Sequence, residues 1–183
     1  MNHLKRQLAN QYGALIKSAF GSQPLVFVSI NLDLTAMRRA VARSGRQSLS
    51  DELLTASRSS NRQDTITTFY RKFFHRVSSE FYGSAHRRFG RRLKYIGVME
   101  NSGKCYTRTE SPYDGHFLIA IPTESHQRFM ECVRVVFERW VYAPTATTID
   151  CQSVTELSSD LADYHFKQFV SAEVATERLI LPI

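Results

Sequence analysis

The sequence predicts an α+β sandwich, an antiparallel sheet with helices packed against it. Three observations carry that expectation. Compact apolar runs rich in β-branched and aromatic residues alternate with segments whose apolar residues recur at helical spacing. Two strand-like runs are adjacent in the chain, joined by a longish hairpin and flanked by helices. The 183 residues are 43% hydrophobic, 22% charged and 11% aromatic, ordinary values for a chain that packs one core. A single domain over residues 1–183 is expected.

Residues 3–20 read as a short helix ending near Gly21, so residues 1–21 form an N-terminal helical extension. After Pro24, Leu25-Val-Phe-Val-Ser-Ile30 reads as a strand. Residues 43–63 are polar, with Ser44, Gly45, Ser48, Ser50, Ser57, Ser59, Ser60 and Asn61. They read as a loop or insertion, with room for a helical turn at Asp51–Ala56. Ile66, Phe69, Tyr70, Phe73, Phe74, Val77 and Phe81 then recur at i, i+3, i+4 and i+7, an amphipathic helix stopped by Gly83.

Tyr95–Met99 reads as a strand ending at Glu100, with a turn at Asn101-Ser-Gly103. His116–Ile121 is a second apolar strand closed by Pro122. Phe129, Val133, Val136, Phe137 and Trp140 return to helical spacing, with Thr123 as the expected N-cap. Ala146–Val154 reads as a third strand, and Ser158 or Ser159 as the cap of a last helix running to about Ala172. Leu179–Ile183 is apolar enough for a final short strand.

Charge narrows the function. The formal net charge is +7, which favours an anionic partner such as nucleic acid. Basic residues cluster in two stretches, Arg71, Lys72 and Arg76 on the amphipathic helix, then Arg87, Arg88, Arg91, Arg92 and Lys94. Tyr82, Phe89 and Tyr95 are interleaved with them, a composition suited to neutralising phosphates while stacking on bases. No run approaches the length of a membrane span, so no membrane association is expected. The N-terminal segment lacks a secretory h-region. Three widely spaced cysteines, Cys105, Cys132 and Cys151, make neither a disulfide framework nor a CxxC pair, so a cytoplasmic protein is expected. The P-loop pattern GxxxxGK[ST] is missing, which sets aside a nucleotide-driven motor.

Two constellations can carry chemistry. Asp114 and His116 are two residues apart on a strand and so share a face. Glu100 reaches the same spot if the two strands pair as a hairpin. One imidazole and two carboxylates can hold a divalent cation with positions left for water or phosphate. Asp114-Gly115 is equally turn chemistry, and a lone His116 equally a structural histidine. Glu110, also near Asp114 in the chain, is expected in the hairpin loop. In the last helix, Tyr164 lies three and four residues before Lys167 and Gln168, on one face. A tyrosine beside a bound metal can attack phosphorus, and a nearby lysine favours phenolate or phosphate. Tyr164 can also simply pack with Leu157 and Leu161.

In order and spacing these pieces resemble the HUH superfamily of single-strand endonucleases, in particular the rolling-circle replication initiators of phages and plasmids. The residues that carry the resemblance are the strand Val26-Phe-Val-Ser-Ile-Asn31, the strand Tyr95-Ile-Gly-Val-Met-Glu100, the strand Asp114-Gly-His-Phe-Leu-Ile-Ala-Ile-Pro122, and Tyr164-His-Phe-Lys167. Together they span about residues 25–170. The resemblance implies a ferredoxin-like α+β fold and Mg²⁺ or Mn²⁺ held by His116 and Asp114, with Glu100 a candidate third ligand beside Gln168 or water. It implies that Tyr164 attacks a phosphodiester of single-stranded or hairpin DNA, leaving a 5′-phosphotyrosine and a free 3′-OH, with Lys167 at the phosphate. A separate helicase and polymerase would complete replication. The related single-tyrosine transposases use Tyr-x-x-x-Gln with the glutamine as a metal ligand, a spacing that Tyr164 and Gln168 also satisfy. One position departs from the family pattern: Asp114 stands where the first histidine of the usual pair would be.

Two rival readings remain. One is a non-catalytic nucleic-acid-binding module on the same fold, which the departure at Asp114 would suit. The other is an RNA-processing enzyme using His116 or His75 as a general base, which leaves Tyr164 and Lys167 without a role.

Overall fold

A computed structural model of the chain describes residues 3–31, 62–101, 113–141, 149–154 and 179–181. Helix α1, His3–Phe20, ends where Gly21 turns left-handed at φ 60° and its N–H donates to the Lys17 carbonyl at 2.8 Å. Strand β1 is Leu25–Ile30, entered from Pro24. Helix α2 is Arg62–Tyr82, and Gly83, at φ 53°, breaks it. Strands β2, Tyr95–Asn101, and β3, Tyr113–Ala120, form the hairpin. Helix α4, His126–Val141, follows a 3₁₀ turn at Thr123–Ser125, and strands β4, Ile149–Val154, and β5, Leu179–Ile180, complete the elements.

Several expectations need correction. The basic stretch after Gly83, to which the sequence assigned no element, begins as helix α3, Ser84–Phe89, closed by Gly90 in the left-handed region. Thr123 does not cap α4, which begins three residues later; Thr123 opens the 3₁₀ turn that Pro122 makes possible. Helix α2 begins at Arg62, so the polar stretch yields its last two residues to the helix. Strand β3 begins at Tyr113, because pairing with β2 carries the ladder past Asp114. Asn101, expected in the turn, instead ends β2, paired with Tyr113. The polar residues 43–61, Ser102 and Gly103 of the expected turn, Glu110 and the last helix expected from Ser158 or Ser159 all lie outside the described residues.

The strands pair antiparallel in the order β4-β1-β3-β2-β5. Taken with the chain order β1-α2-β2-β3-α4-β4, this is a ferredoxin-like α+β sandwich, to which α1, α3 and β5 are added. Strand alternation gives the sheet two different faces. Val26, Val28, Ile30, Tyr95, Met99, Phe117 and Ile119 pack against the apolar stripes of α2 and α4. Phe117 is the centre of that core, with its ring 4.5 Å from that of Phe74 and 4.9 Å from that of Tyr70. Burying each such phenylalanine stabilises the fold by about 1.5–3 kcal/mol. Gly97 and Gly115 flank Phe117, and a Cβ on either would run into its ring, so both positions need glycine. On the opposite face Leu25, Phe27, Ile96, Val98 and Leu118 pack against Tyr12, Ile16 and Phe20 of α1.

His126 closes one end of the sheet. It is buried, with Nε2 2.8 Å from the Ile121 carbonyl and Nδ1 2.8 Å from Ser153 Oγ. A carbonyl only accepts, so Nε2 carries the proton and donates. This histidine ties α4 to the ends of β3 and β4, a structural role. Among the described residues no helix is long and apolar enough to cross a membrane.

Candidate functional site

The face of the sheet that packs on α1 carries its polar positions toward the other end of the strands. His116 sits on β3, the middle strand of the five, paired with Ser29 on β1 and Val98 on β2. Two residues earlier on the same face, Asp114 is directly opposite Glu100. Residues directly opposite in an antiparallel pair lie about 4.5–5.5 Å apart, and i, i+2 neighbours about 6.6–6.8 Å. The hairpin register therefore brings Glu100, Asp114 and His116 to adjacent positions, as the sequence suggested.

His116 is only 5% exposed. Its ring stacks on Phe27, with centroids 5.9 Å apart and planes 9° from parallel, and Ser29 Oγ lies 3.1 Å from Nδ1. If Nδ1 carries the proton it donates to Ser29, and Nε2 presents a lone pair; in the other tautomer the Ser29 hydroxyl donates and Nε2 is protonated. Ser29 thus holds Nδ1 in either tautomer and, with Phe27, orients the ring. Sequence reasoning passed over it, although a single hydroxyl in an otherwise apolar strand was a visible signal. Asp150 on β4 pairs with Ser29 from the other side, and its Oδ2 accepts from Gln152 Nε2 at 2.6 Å. Nothing in the local sequence pointed to Asp150.

Among the described residues no three His, Cys, Asp or Glu side chains are gathered as a metal site. The backbone register sets Glu100 and Asp114 at facing positions two residues from the His116 pair, and carboxylates with an imidazole are the donor types that Mg²⁺ or Mn²⁺ accepts. Tyr164, Lys167 and Gln168 lie outside the described residues.

The basic residues do not join this face. Arg71, Lys72, Arg76 and Arg92 surround a cavity of about 580 Å³ on the α2 side of the sheet, with His75 among them and Phe74, Leu93 and Tyr95 as its apolar lining. Tyr95 belongs to the core that faces α2, the face opposite His116. Arg71 Nε donates to the Leu181 carbonyl at 3.3 Å, and the Arg76 guanidinium lies 3.5 Å over the Trp140 ring. The His75 and His86 rings meet edge to face at 4.9 Å, and His86 Nδ1 donates to the Arg91 carbonyl at 2.7 Å. Burial, then the positive charge of His86, Arg92 and Arg76, lowers the His75 pKa below the ordinary imidazole value. Arg87, Arg88 and Arg91 are exposed on and just after α3, while Lys94 lines a second cavity of about 500 Å³ with Arg92 and Tyr82.

The interleaved aromatics also divide. Phe89 is 77% exposed, whereas Tyr95 is buried in the core and Tyr82 is half-buried. Tyr95 is therefore not a stacking platform: its place in the strand turns it toward Phe74 and Phe117.

These features define a ferredoxin-like α+β protein with a histidine-and-carboxylate face on one side of its sheet and a basic cavity on the other. No protein-family model matches the chain, nor does any curated protein or solved structure.

Proposed function

We propose that the chain is a metal-dependent endonuclease and strand transferase that acts on single-stranded or hairpin DNA, in replication initiation or mobility of a small genetic element. One observation carries the reading: the β2–β3 register sets Glu100 opposite Asp114 and beside His116, on a face where Ser29 and Phe27 hold the His116 ring. The ferredoxin-like strand order, the order of motifs in the sequence and the positive charge support it.

His116, Asp114 and Glu100 would hold Mg²⁺ or Mn²⁺, with Gln168 as a further ligand. Such an ion polarises a phosphoryl oxygen and stabilises the charge that develops on it. Tyr164 Oη forms a bond to phosphorus as the P–O3′ bond breaks, and the phenolic proton ends on the departing 3′ oxygen. The DNA 5′ end remains on Tyr164, and Lys167 neutralises the phosphate beside it. The covalent link conserves the energy of the broken bond, so rejoining needs no nucleotide hydrolysis. In replication, a separate helicase and polymerase would extend the free 3′ end.

A second reading is a nucleic-acid-binding module without catalysis. It is favoured by the position of the basic cavity on the sheet face away from His116, where binding needs no metal.

The experiment is a covalent-adduct assay with labelled single-stranded and hairpin DNAs, in Mn²⁺ or in EDTA. A slower-migrating band on a denaturing gel that requires Mn²⁺ and disappears in Tyr164→Phe is the expected result. DNA bound in EDTA with no adduct from any substrate would replace the nuclease reading with the binding module.

A further inference from the structure

The cavity on the α2 side gathers cations from two separate elements. Arg71, Lys72, His75 and Arg76 lie on one face of α2, and Arg92 comes from the segment leading into β2. Two of the guanidinium groups are held before any ligand arrives, Arg71 by the Leu181 carbonyl and Arg76 by the Trp140 ring. Planar forks fixed in this way are suited to phosphate oxygens, since less side-chain freedom is lost on binding. A volume near 580 Å³ accommodates a phosphate with its sugar.

We propose that this cavity is a phosphodiester-binding pocket for a nucleic-acid strand, on the opposite side of the sheet from His116. A second observation favours a strand over an isolated nucleotide. The edge-to-face contact of His75 with His86 joins the cavity wall to α3, and α3 presents Arg87, Arg88 and the exposed ring of Phe89. A strand with one phosphate among Arg71, Lys72 and Arg92 continues over that contact to basic residues and an aromatic face on which a base stacks. The pocket anchors nucleic acid away from the His116 face. The inference shares the nucleic-acid ligand of the proposed function but does not depend on cleavage.

The test is binding of a labelled single-stranded 20-mer to the full-length protein in EDTA, across a salt series, with thymidine monophosphate as competitor. Lys72 and Arg92 are exposed, so K72Q/R92Q is compatible with folding, and circular dichroism verifies it. The control, K17Q/R134Q, removes two equally exposed charges from α1 and α4. Expected results are a roughly tenfold or greater loss of affinity in K72Q/R92Q and a fall of about 1.4 in the slope of log K against log salt, at about 0.7 per neutralised phosphate on single strands. F89A weakens the 20-mer and leaves thymidine monophosphate unchanged. An equal loss in K17Q/R134Q, or none in K72Q/R92Q, overturns the pocket. Thymidine monophosphate binding as tightly as the 20-mer overturns the strand in favour of a nucleotide. Since metal is absent throughout, failure of the adduct assay leaves these outcomes unaffected.

Discussion

Ser29 Oγ lies 3.1 Å from Nδ1 of His116, across a strand pair that joins residues 87 apart in sequence. Phe27, two residues earlier on the same strand, stacks on the same ring. Ring plane and the Nδ1 hydrogen-bond partner are thus both set by β1.

Ser29→Ala removes the partner that can hold the Nδ1 proton. Loss of such a partner behind a ligating histidine typically costs about 10–100-fold in metal affinity or activity. The Mn²⁺ concentration giving half-maximal adduct is expected to rise by that factor, with the urea unfolding midpoint shifted only slightly. Unchanged Mn²⁺ dependence would assign Ser29 to packing alone.

Gly115 stands between Asp114 and His116 and backs onto the aromatic core. An added Cβ would come within 2.6 Å of Phe117 and of Tyr70. Overpacking of this kind costs about 1–3 kcal/mol. Gly115→Ala is expected to lower the urea midpoint accordingly and, because the strand must shift, to reduce adduct formation as well. A midpoint equal to that of the unaltered protein contradicts the packing described for Phe117.

Burial pushes the Cys151 thiol up to about 12, from an ordinary value of 9.0. The thiolate is the reactive form, so at pH 8 its population is about a thousandth of that of an unperturbed thiol. Iodoacetamide followed by mass spectrometry is expected to modify Cys151 far more slowly in the native protein than in urea. Equal rates would place Cys151 away from the core beside β1.

His75 bears on the cavity directly. Its lowered pKa comes first from burial, then from His86, Arg92 and Arg76, while Arg71 and Lys72 line the same cavity. A folded-state pKa below the unfolded value means that the unfolded chain takes up the proton first. The His75 contribution to stability is therefore present above about pH 6.5 and is lost as the pH falls toward the folded-state value. A bound phosphate offsets the neighbouring cations, so the His75 titration followed by NMR should move upward when single-stranded DNA is added. A titration that stays in place with DNA bound would exclude phosphate from the cavity.

Much of the fold was legible because its signals are local. The stripe from Ile66 to Phe81 has a helical period whatever it packs against, and α2 forms there. Leu25–Ile30 appears at the expected bounds because β-branched residues after a proline leave few alternatives. Helix α3 was missed because His86, Arg87 and Arg88 give no apolar period, and no residue of that helix is buried. The N-cap assigned to Thr123 failed because Pro122 favours a tight turn before the helix proper.

By itself, the sequence determined the two alternating periods, the positive charge, and the short strand on which Asp114 and His116 share a face. Each depends on residues a few positions apart, which fixed backbone geometry relates directly. Only the tertiary structure decided that Glu100 pairs with Asp114, that Ser29 and Phe27 hold the His116 ring, and that Arg71, Lys72, Arg76 and Arg92 gather on the other side of the sheet. Those relations follow from which strands become neighbours and in what register. That is a collective result of burying Phe117 between two glycines beneath α2, and no short window of the chain contains it.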